Sequence, residues 1–321
     1  MNVAAGYPAA VGPVKFDGSW KLNLAGRVLD TRPMTQAQQI RNLLARDTHL
    51  MPGVFDALSA RIACDVGFEV IFISGYSVSA TALGEPDFGY VSLPDISEAA
   101  RRVCAVSSVP VIVDADTGYG NPLNVQHTVK QLQRAGAAGM FLEDQLWPKK
   151  CGHMRGKRVV SMEEQAEKIR AAADARGERD FFLVARTDAR QMNGLKDAIK
   201  RSLKNKEAGA DALFVEAARS KQEFRTIAKE LPPPLVANML EKGVTPLLTR
   251  EELRDLGFQM IVCPLSVLYS YAKAAQEILQ VLRRKGTTRN DLKRLLSFDE
   301  FNRLVKLESK YEAERQYAVG D

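Results

Sequence analysis

At 321 residues, with 45% hydrophobic and 26% charged residues, the chain has an ordinary globular composition and is long enough to bury one large core or two modest ones. A formal net charge of +6 is spread along the sequence and thickens at Arg283, Arg284, Lys285, Arg289, Lys293 and Arg294, but no nucleic-acid fold signature accompanies it. An anionic small molecule is therefore the better partner. No apolar run reaches the ~20 residues of a membrane span, and Cys64, Cys104, Cys151 and Cys263 lack paired spacing, which predicts reduced thiols, a cytoplasmic setting and no membrane partner.

Residues 1–33 carry Gly6, Pro8, Gly12, Pro13, Gly18 and Gly26 and little periodicity, so they read as an arm; no basic segment stands before the apolar residues 1–13, which argues against a signal peptide. From Thr35, which can cap a helix to about residue 44, the pattern becomes regular. Apolar runs at 50–51, 70–73, 109–113, 139–142, 181–184, 212–215, 235–237 and 260–262 read as buried strands. Helical patterns at 59–66, 96–106, 125–135, 163–175, 195–208, 221–231 and 250–256 alternate with them. Gly67, Gly136, Gly209 and Gly257 each follow a helix, where a left-handed residue ends it. Eight β-then-α units predict a (β/α)8 TIM-type barrel over 34–263. The Gly-rich fingerprint of a doubly wound sheet is absent; Gly118-Tyr119-Gly120 is only a fragment of one.

A barrel collects its functional groups at the C-terminal ends of its strands. Ser74 and Gly75 follow the second strand, Asp114 and Asp116 the third, Glu143 and Asp144 the fourth, Arg186 and Asp188 the fifth, Glu216 the sixth and Asn238 the seventh. A single carboxylate there can be a helix cap, but a succession over six strands is harder to dismiss. Asp114 and Asp116, two apart, point to one face if the strand continues through both, and with Glu143 they would repel unless a cation lay among them. Oxygen ligands alone suggest Mg, with Mn as a substitute. Arg186 offers a planar fork to a substrate carboxylate, the amides of Ser74 and Gly75 and the side chain of Asn238 can add donors, and Glu216 is either a base partner or an orienting group for Arg186.

From Asp116 to Glu143 is 27 residues and from Arg186 to Glu216 is 30, yet from Glu143 to Arg186 is 43. The excess lies between Asp144 and Val160, so a long loop stands at the catalytic end of the barrel, where it can act as a lid. It holds Cys151 among Lys149, Lys150, His153, Arg155, Lys157 and Arg158, a setting expected to lower the thiol pKa; lid closure would deliver Cys151 as an acid. Trp147 can pack under the loop or anchor its hinge. Cys64, Cys104 and Cys263 read as core residues, and His49 and His127 as structural or surface groups.

Lys149-Lys150-Cys151-Gly152-His153 resembles the signature of the isocitrate lyase and phosphoenolpyruvate mutase superfamily, in its carbon–carbon lyase branch. Leu83-Gly84-Glu85-Pro86-Asp87, Asp114-Ala115-Asp116-Thr117-Gly118-Tyr119-Gly120, Ala185-Arg186-Thr187-Asp188-Ala189 and Asn238-Met239-Leu240-Glu241 extend the likeness over roughly 35–275, in order and at matching spacing. The resemblance implies a Mg-dependent enzyme that cleaves a 2-hydroxy di- or tricarboxylate in the retro-aldol sense to an α-keto acid and a second acid. It implies Asp116 as direct metal ligand, with Asp87, Asp114 and Glu143 holding metal-bound waters. Cys151 would protonate the departing carbanion. Lys149, Gly152, His153, Arg186, Glu216 and Asn238 match positions that bind substrate carboxylates or support the lid, and Ser74, Gly75 and Tyr76 match the loop that grips the α-keto acid portion.

Leu240 departs from the pattern of 2-methylisocitrate lyases, which carry Thr there, and the loss of a hydroxyl donor leans toward a dicarboxylate with alkyl groups, as in the 2,3-dimethylmalate lyase and petal death protein branch, or toward oxaloacetate hydrolysis. The Cys-Gly-His motif disfavours the mutase branch. A catalytically silent metal- and carboxylate-binding relative is the non-enzyme alternative, opposed by the complete set Asp116, Cys151, Arg186 and Glu216. Residues 264–321 show an amphipathic stripe (Leu268, Tyr271, Ala272, Ala275, Ile278, Leu279, Leu282) and a second helical stretch at 298–311, an apolar face past a finished barrel that needs a partner. The family implies a homotetramer in which these helices swap between subunits.

Overall fold

The structure, a computed structural model, describes residues 20–22, 28–30 and 33–318 and divides into two units, Met1–Met34 and Thr35–Asp321. In the first, Trp20–Leu22 pairs antiparallel with Val28–Asp30; the rest of the arm expected over 1–33 lies outside the described residues. The second unit holds the barrel and the helices that follow it.

Eight parallel strands close the barrel: β1 (His49–Val54), β2 (Ile71–Ile73), β3 (Val111–Asp114), β4 (Gly139–Glu143), β5 (Phe182–Thr187), β6 (Ala212–Val215), β7 (Leu235–Asn238) and β8 (Met260–Cys263), with β8 returning to β1. Every expected strand is present. β1 runs further than its sequence suggested, through Pro52 and Gly53 to Val54.

The helices between strands also stand where expected, but three begin earlier than their apolar periodicity: Ala57–Val66, Leu93–Cys104 and Pro122–Arg134. Capping boxes cause this, since Asp56 with Ser59, Ser92 with Asp95 and Asn121 with Asn124 satisfy the first free amides before any residue faces the core. At the other ends Gly67, Gly136, Gly209 and Gly257 take φ of 97°, 94°, 110° and 91°, the left-handed stops read from the sequence. The residues after β2, expected as a loop, instead coil into a short helix, Gly75–Val78, and a π turn, Ser79–Leu83.

The two-residue period of the strands sorts side chains into two apolar layers. Ile71, Ile73, Val111, Val113, Met140, Leu142, Leu183, Leu213, Leu235 and Ile261 face the helices. Phe72, Ile112, Phe141, Phe182, Val184, Phe214, Val236, Met260 and Val262 fill the interior, closed at one end by Ala37, Ile40 and Leu44 of the helix Gln36–Leu44. The same parity carried one step on turns Ser74, Asp114, Glu143, Arg186, Glu216 and Asn238 inward at the opposite end. The strands therefore build the mouth and its lining together.

Past β8, Ser266–Lys285 forms one helix with Leu268 and Val281 buried and Tyr271, Leu279 and Leu282 exposed. The second stretch is two helices, Phe298–Leu304 and Leu307–Gln316, because Lys306 takes a left-handed φ of 60° between them. Among the described residues no helix is long and apolar enough to cross a membrane.

Gly53 near the end of β1 meets the chain leaving β8, and a β-carbon there would overlap the Pro264 carbonyl. Gly53→Ala is expected to destabilise the fold by about 1–3 kcal/mol through backbone overpacking, read as a lower urea midpoint at unchanged m-value.

Candidate active site

A cavity of about 50 Å³ opens at the C-terminal end of the barrel. Its floor is the aromatic series Phe72, Phe141 and Phe214, with ring centroids 4.8 and 5.8 Å apart. Asp87, Asp114, Cys151, Gly152, His153, Arg186, Glu216 and Asn238 bring polar groups to it, and Leu240, Val262, Pro264 and Leu265 give it an apolar wall.

Arg186 is the hub. Its Nε and Nη2 donate to Asp188 at 2.9 and 3.1 Å, its Nη1 lies 3.2 Å from Glu143 Oε2 and its Nη2 lies 3.4 Å from Glu216 Oε2, above the Phe214 ring. Burial works to raise the Glu216 pKa, but the Arg186 charge and the His153 hydrogen bond overcome it and hold Glu216 well below the usual range. Its two oxygens lie against His153 and Arg186 respectively. Asn238 Nδ2 donates to Glu216 Oε2 at 3.1 Å. His153 Nδ1 accepts the Val244 amide at 3.0 Å, which leaves Nε2, 3.3 Å from Glu216 Oε1, as the nitrogen that carries the proton.

The loop expected as a lid lies across the mouth. Gln145 clamps it, accepting the Lys150 amide at 3.0 Å and donating to the Lys150 carbonyl at 2.7 Å, while the Cys151 amide donates to the Asp87 carbonyl at 3.1 Å. Lys157, wholly buried, bridges the Gly152 carbonyl and Asp188 Oδ1, the latter at 2.6 Å. Gly152 sits so close to the hub that a β-carbon would overlap Arg186 Nη2 and stand 2.6 Å from Glu216 Cγ. Trp147 remains partly exposed, its ring 6.3 Å from Tyr119.

Cys151 corrects one expectation. Burial pushes its thiol up to about 11, with Asp87 and Glu216 adding to the rise. Of the neighbouring cations, Lys149 is engaged with Asp87 and Asp116, Lys157 with Asp188, and Lys150 lies over the Phe88 ring, while the His153 amide and Arg186 pull the value down without overcoming burial. The group in the cavity is a neutral thiol.

The acidic cluster corrects another. β3 ends at Asp114, and Asp116 reaches the mouth through a left-handed turn, φ 47°, rather than by strand alternation. Asp114 Oδ1 accepts the Asp116 amide at 3.2 Å and Asp114 Oδ2 the Gly75 amide at 3.3 Å, while the Ser74 amide donates to the Val54 carbonyl. Those two amides are thus committed within the protein; Ser74 and Tyr76 meet the cavity through other atoms. Tyr76 pairs with Tyr269 of the long C-terminal helix, and burial raises both phenols. Tyr269, Pro264 and Leu265 went unread in the sequence, because their place depends on how the chain turns back after β8.

The cluster suits a hard cation. Glu143 Oε1 is buried without a hydrogen-bond partner, and burial raises Glu143 well above its ordinary value and Asp116 to about 7, a cost that a cation would relieve. Glycine at 75 keeps the space open, since a β-carbon would stand 3.1 Å from Asp114 Oδ2 and 3.4 Å from Asp116 Oδ1. Among the described residues no group of three or more His, Cys, Asp or Glu side chains is arranged to hold a metal ion by itself.

A family model described as phosphoenolpyruvate phosphomutase matches residues 40–283. The chain belongs to the phosphoenolpyruvate mutase/isocitrate lyase superfamily. It is 52% identical to the petal death protein of Dianthus caryophyllus over 84% of this chain and 85% of that one, and 41% identical to 2,3-dimethylmalate lyase of Eubacterium barkeri over 89% and 100%. It is also 50% identical to a chloroplastic carboxyvinyl-carboxyphosphonate phosphorylmutase of Arabidopsis thaliana over 92% and 88%, so a relative named for phosphorus chemistry stands beside the lyases. Among solved structures, oxaloacetate acetylhydrolase with 3,3-difluorooxalacetate superposes at a TM-score of 0.83, 35% identity, covering 88% of this chain and 97% of that one. Phosphonopyruvate hydrolase with oxalate and Mg superposes at 0.80, 30% identity, 88% and 99%. The superfamily relatives named as lyases support a carbon–carbon lyase, the class the sequence implied.

The neutral thiol has a direct test. With a pKa near 11, alkylation of the Cys151 peptide by iodoacetamide, followed by mass spectrometry, should rise about tenfold per unit between about pH 7 and 10 without a plateau. Levelling near pH 8 would show a thiolate instead.

Proposed function

We propose that this chain cleaves the C2–C3 bond of a 2-hydroxy dicarboxylate bearing alkyl groups, resembling 2,3-dimethylmalate, to give an α-keto acid and a second carboxylic acid. The observation that carries this reading is that one cavity is lined by the Cys151 thiol, the Arg186 guanidinium and an apolar wall at Leu240 and Leu265. Leu240, Leu265 and Leu268 form a small buried cluster with Phe55, Tyr76 and Ala80 against them, a surface suited to alkyl groups.

In this reading Arg186 faces the substrate carboxylates with its orientation already fixed by Asp188, Glu143 and Glu216, so little reorganisation remains when charge develops. The substrate hydroxyl gives its proton to a water at the mouth before the loop closes, its oxygen becomes the keto oxygen, the C2–C3 pair passes to C3, C3 takes the proton of Cys151 Sγ, and water returns a proton to the thiolate on product release. A buried thiol is a suitable donor to a carbanion because it stays protonated until the base appears. His153, Asn238 and Gly152 hold the far side of the site through Glu216, and the loop excludes water that would otherwise quench the carbanion. Asp116 would hold a Mg ion directly, or Mn in its place, with Asp87, Asp114 and Glu143 acting through water. When bound, the ion supplies Lewis-acid polarisation of the substrate 2-oxygen.

Oxaloacetate hydrolysis is the second reading, favoured by the likeness to oxaloacetate acetylhydrolase. A panel of 2,3-dimethylmalate, 2-methylisocitrate, isocitrate, oxaloacetate and phosphonopyruvate, assayed with Mg and with EDTA, separates the readings. Keto acid release from the dimethylated substrate, lost in EDTA, is the expected result, and reaction of oxaloacetate or phosphonopyruvate alone would replace it. Cys151→Ala and Cys151→Ser should lower turnover by at least about 10²-fold, the scale of a lost general acid, while Mg and keto acid still bind. Unchanged turnover would remove Cys151 from the chemistry.

The exposed Tyr271, Leu279, Leu282, Leu296, Phe298 and Phe301 support a homotetramer with exchanged C-terminal helices. Light scattering should give a mass near four chains; monomer mass would reject the proposal.

A further inference from the structure

Asp188, which holds Arg186 by two hydrogen bonds, is itself held from behind. It stands at the start of the short helix Ala189–Asn193, where an Asp side chain ordinarily turns onto the first amides of the helix, yet it makes no such cap. The Ala189 amide goes to Thr187 Oγ1 instead, at 3.2 Å. Asp144 fixes this arrangement: its Oδ1 accepts the Asp188 amide at 2.8 Å and its Oδ2 the Thr187 hydroxyl at 2.7 Å. The Asp188 carboxylate is thereby left to Arg186 and Lys157. Asp144 in turn meets Arg201, from the helix Leu195–Glu207 between β5 and β6. Arg201 Nη1 donates to the Val160 carbonyl at 2.8 Å and to Asp144 Oδ2 at 3.3 Å, while its Nε donates to Asp197 Oδ2 at 2.8 Å, one turn back. Asp144 and Val160 are the two ends of the long loop, and the Val160 amide also donates to the Asp144 carbonyl at 2.9 Å. Asp144, Thr187, Asp188 and Arg201 are all buried, and none of the four lines the cavity.

We propose that Arg201 is a positioning residue for Arg186, acting through Asp144 and Asp188. The guanidinium sets Asp144, Asp144 sets the Asp188 peptide, and Asp188 sets the plane in which Arg186 faces the cavity. Without Arg201, Asp144 is a buried carboxylate that has lost a cationic partner. Any shift of Asp144 frees the Asp188 side chain to turn onto the helix it begins, and one side of Arg186 is released. The inference rests on the reading of Arg186 as the group that faces substrate carboxylates. Oxalate, the ligand of phosphonopyruvate hydrolase, needs no turnover and therefore tests it apart from the choice of reaction.

Oxalate affinity in the presence of Mg would be measured by titration calorimetry on the wild type, Arg201→Met, Arg201→Lys, Arg186→Lys and the double variant, at a temperature where circular dichroism shows each to be folded. Arg201→Met should bind oxalate more weakly and lower the turnover of a substrate that the wild type cleaves, each by about tenfold or more, within the range of a group displaced by a distant substitution. Arg201→Lys keeps one charged donor and should lose less. Adding Arg201→Met to Arg186→Lys should cost little further, because residues that act through one another are not additive. A residue with a merely structural role would subtract the same loss in both backgrounds. Should Arg201→Met fail to fold, Asp144→Asn breaks the same relay and takes its place in the cycle. Unchanged oxalate affinity in Arg201→Met, or an equal loss with and without the Arg186 guanidinium, overturns the proposal while leaving the reading of Arg186 intact. A wild type that binds no oxalate overturns both.

Discussion

Arg186 is the constraint on which the rest of the site depends. One buried guanidinium is shared among Asp188, Glu143 and Glu216, which come from the ends of β5, β4 and β6, and each contact fixes a different part of the mouth. Burying so many carboxylates is costly unless a cation and hydrogen bonds compensate them. Removing the guanidinium would leave several buried charges unmatched at once, so its role is architectural.

The loop extends the same logic beyond the strands. Lys157 takes the remaining face of Asp188, Gly152 touches Arg186 and Glu216 with no space for a side chain, and His153 completes the coordination of Glu216. A segment with little apolar content is thereby placed by buried polar contacts, and Cys151 arrives in the cavity as a consequence. The electrostatic outcome follows: cations consumed in holding the loop cannot also stabilise a thiolate, and burial decides the thiol's state. The same accounting explains why Glu216, surrounded by donors, stays anionic while Glu143, with one oxygen unpartnered, is pushed toward its neutral form.

The superfamily likeness joins lyases, hydrolases and a mutase on one barrel. What distinguishes chemistry within such a set is the lining of the mouth rather than the fold. In this chain part of that lining is apolar, made by Leu240, Leu265 and Pro264 where the chain leaves β7 and β8, beside a Tyr76–Tyr269 pair that involves the helix after the barrel.

The amino-acid sequence alone determined the barrel, its eight strands and the position of Ser74, Asp114, Glu143, Arg186, Glu216 and Asn238 at the strand ends, because a strand's apolar run and where it stops are local properties. It also located the long loop, since an excess of residues between two strands needs no coordinates. Only the tertiary structure decided how charge is distributed. Cys151 among six basic neighbours in sequence reads as an activated thiol, and is held toward its neutral form because burial outweighs them and two of them, Lys149 and Lys157, are spent on Asp87, Asp116 and Asp188, residues as far as 64 positions away. The turn at Asp116, the commitment of the Ser74 and Gly75 amides and the presence of Tyr269 are of the same kind: each depends on which groups the closed barrel brings within a few ångströms, and pairing energies at that range carry no signature in the spacing of residues along the chain.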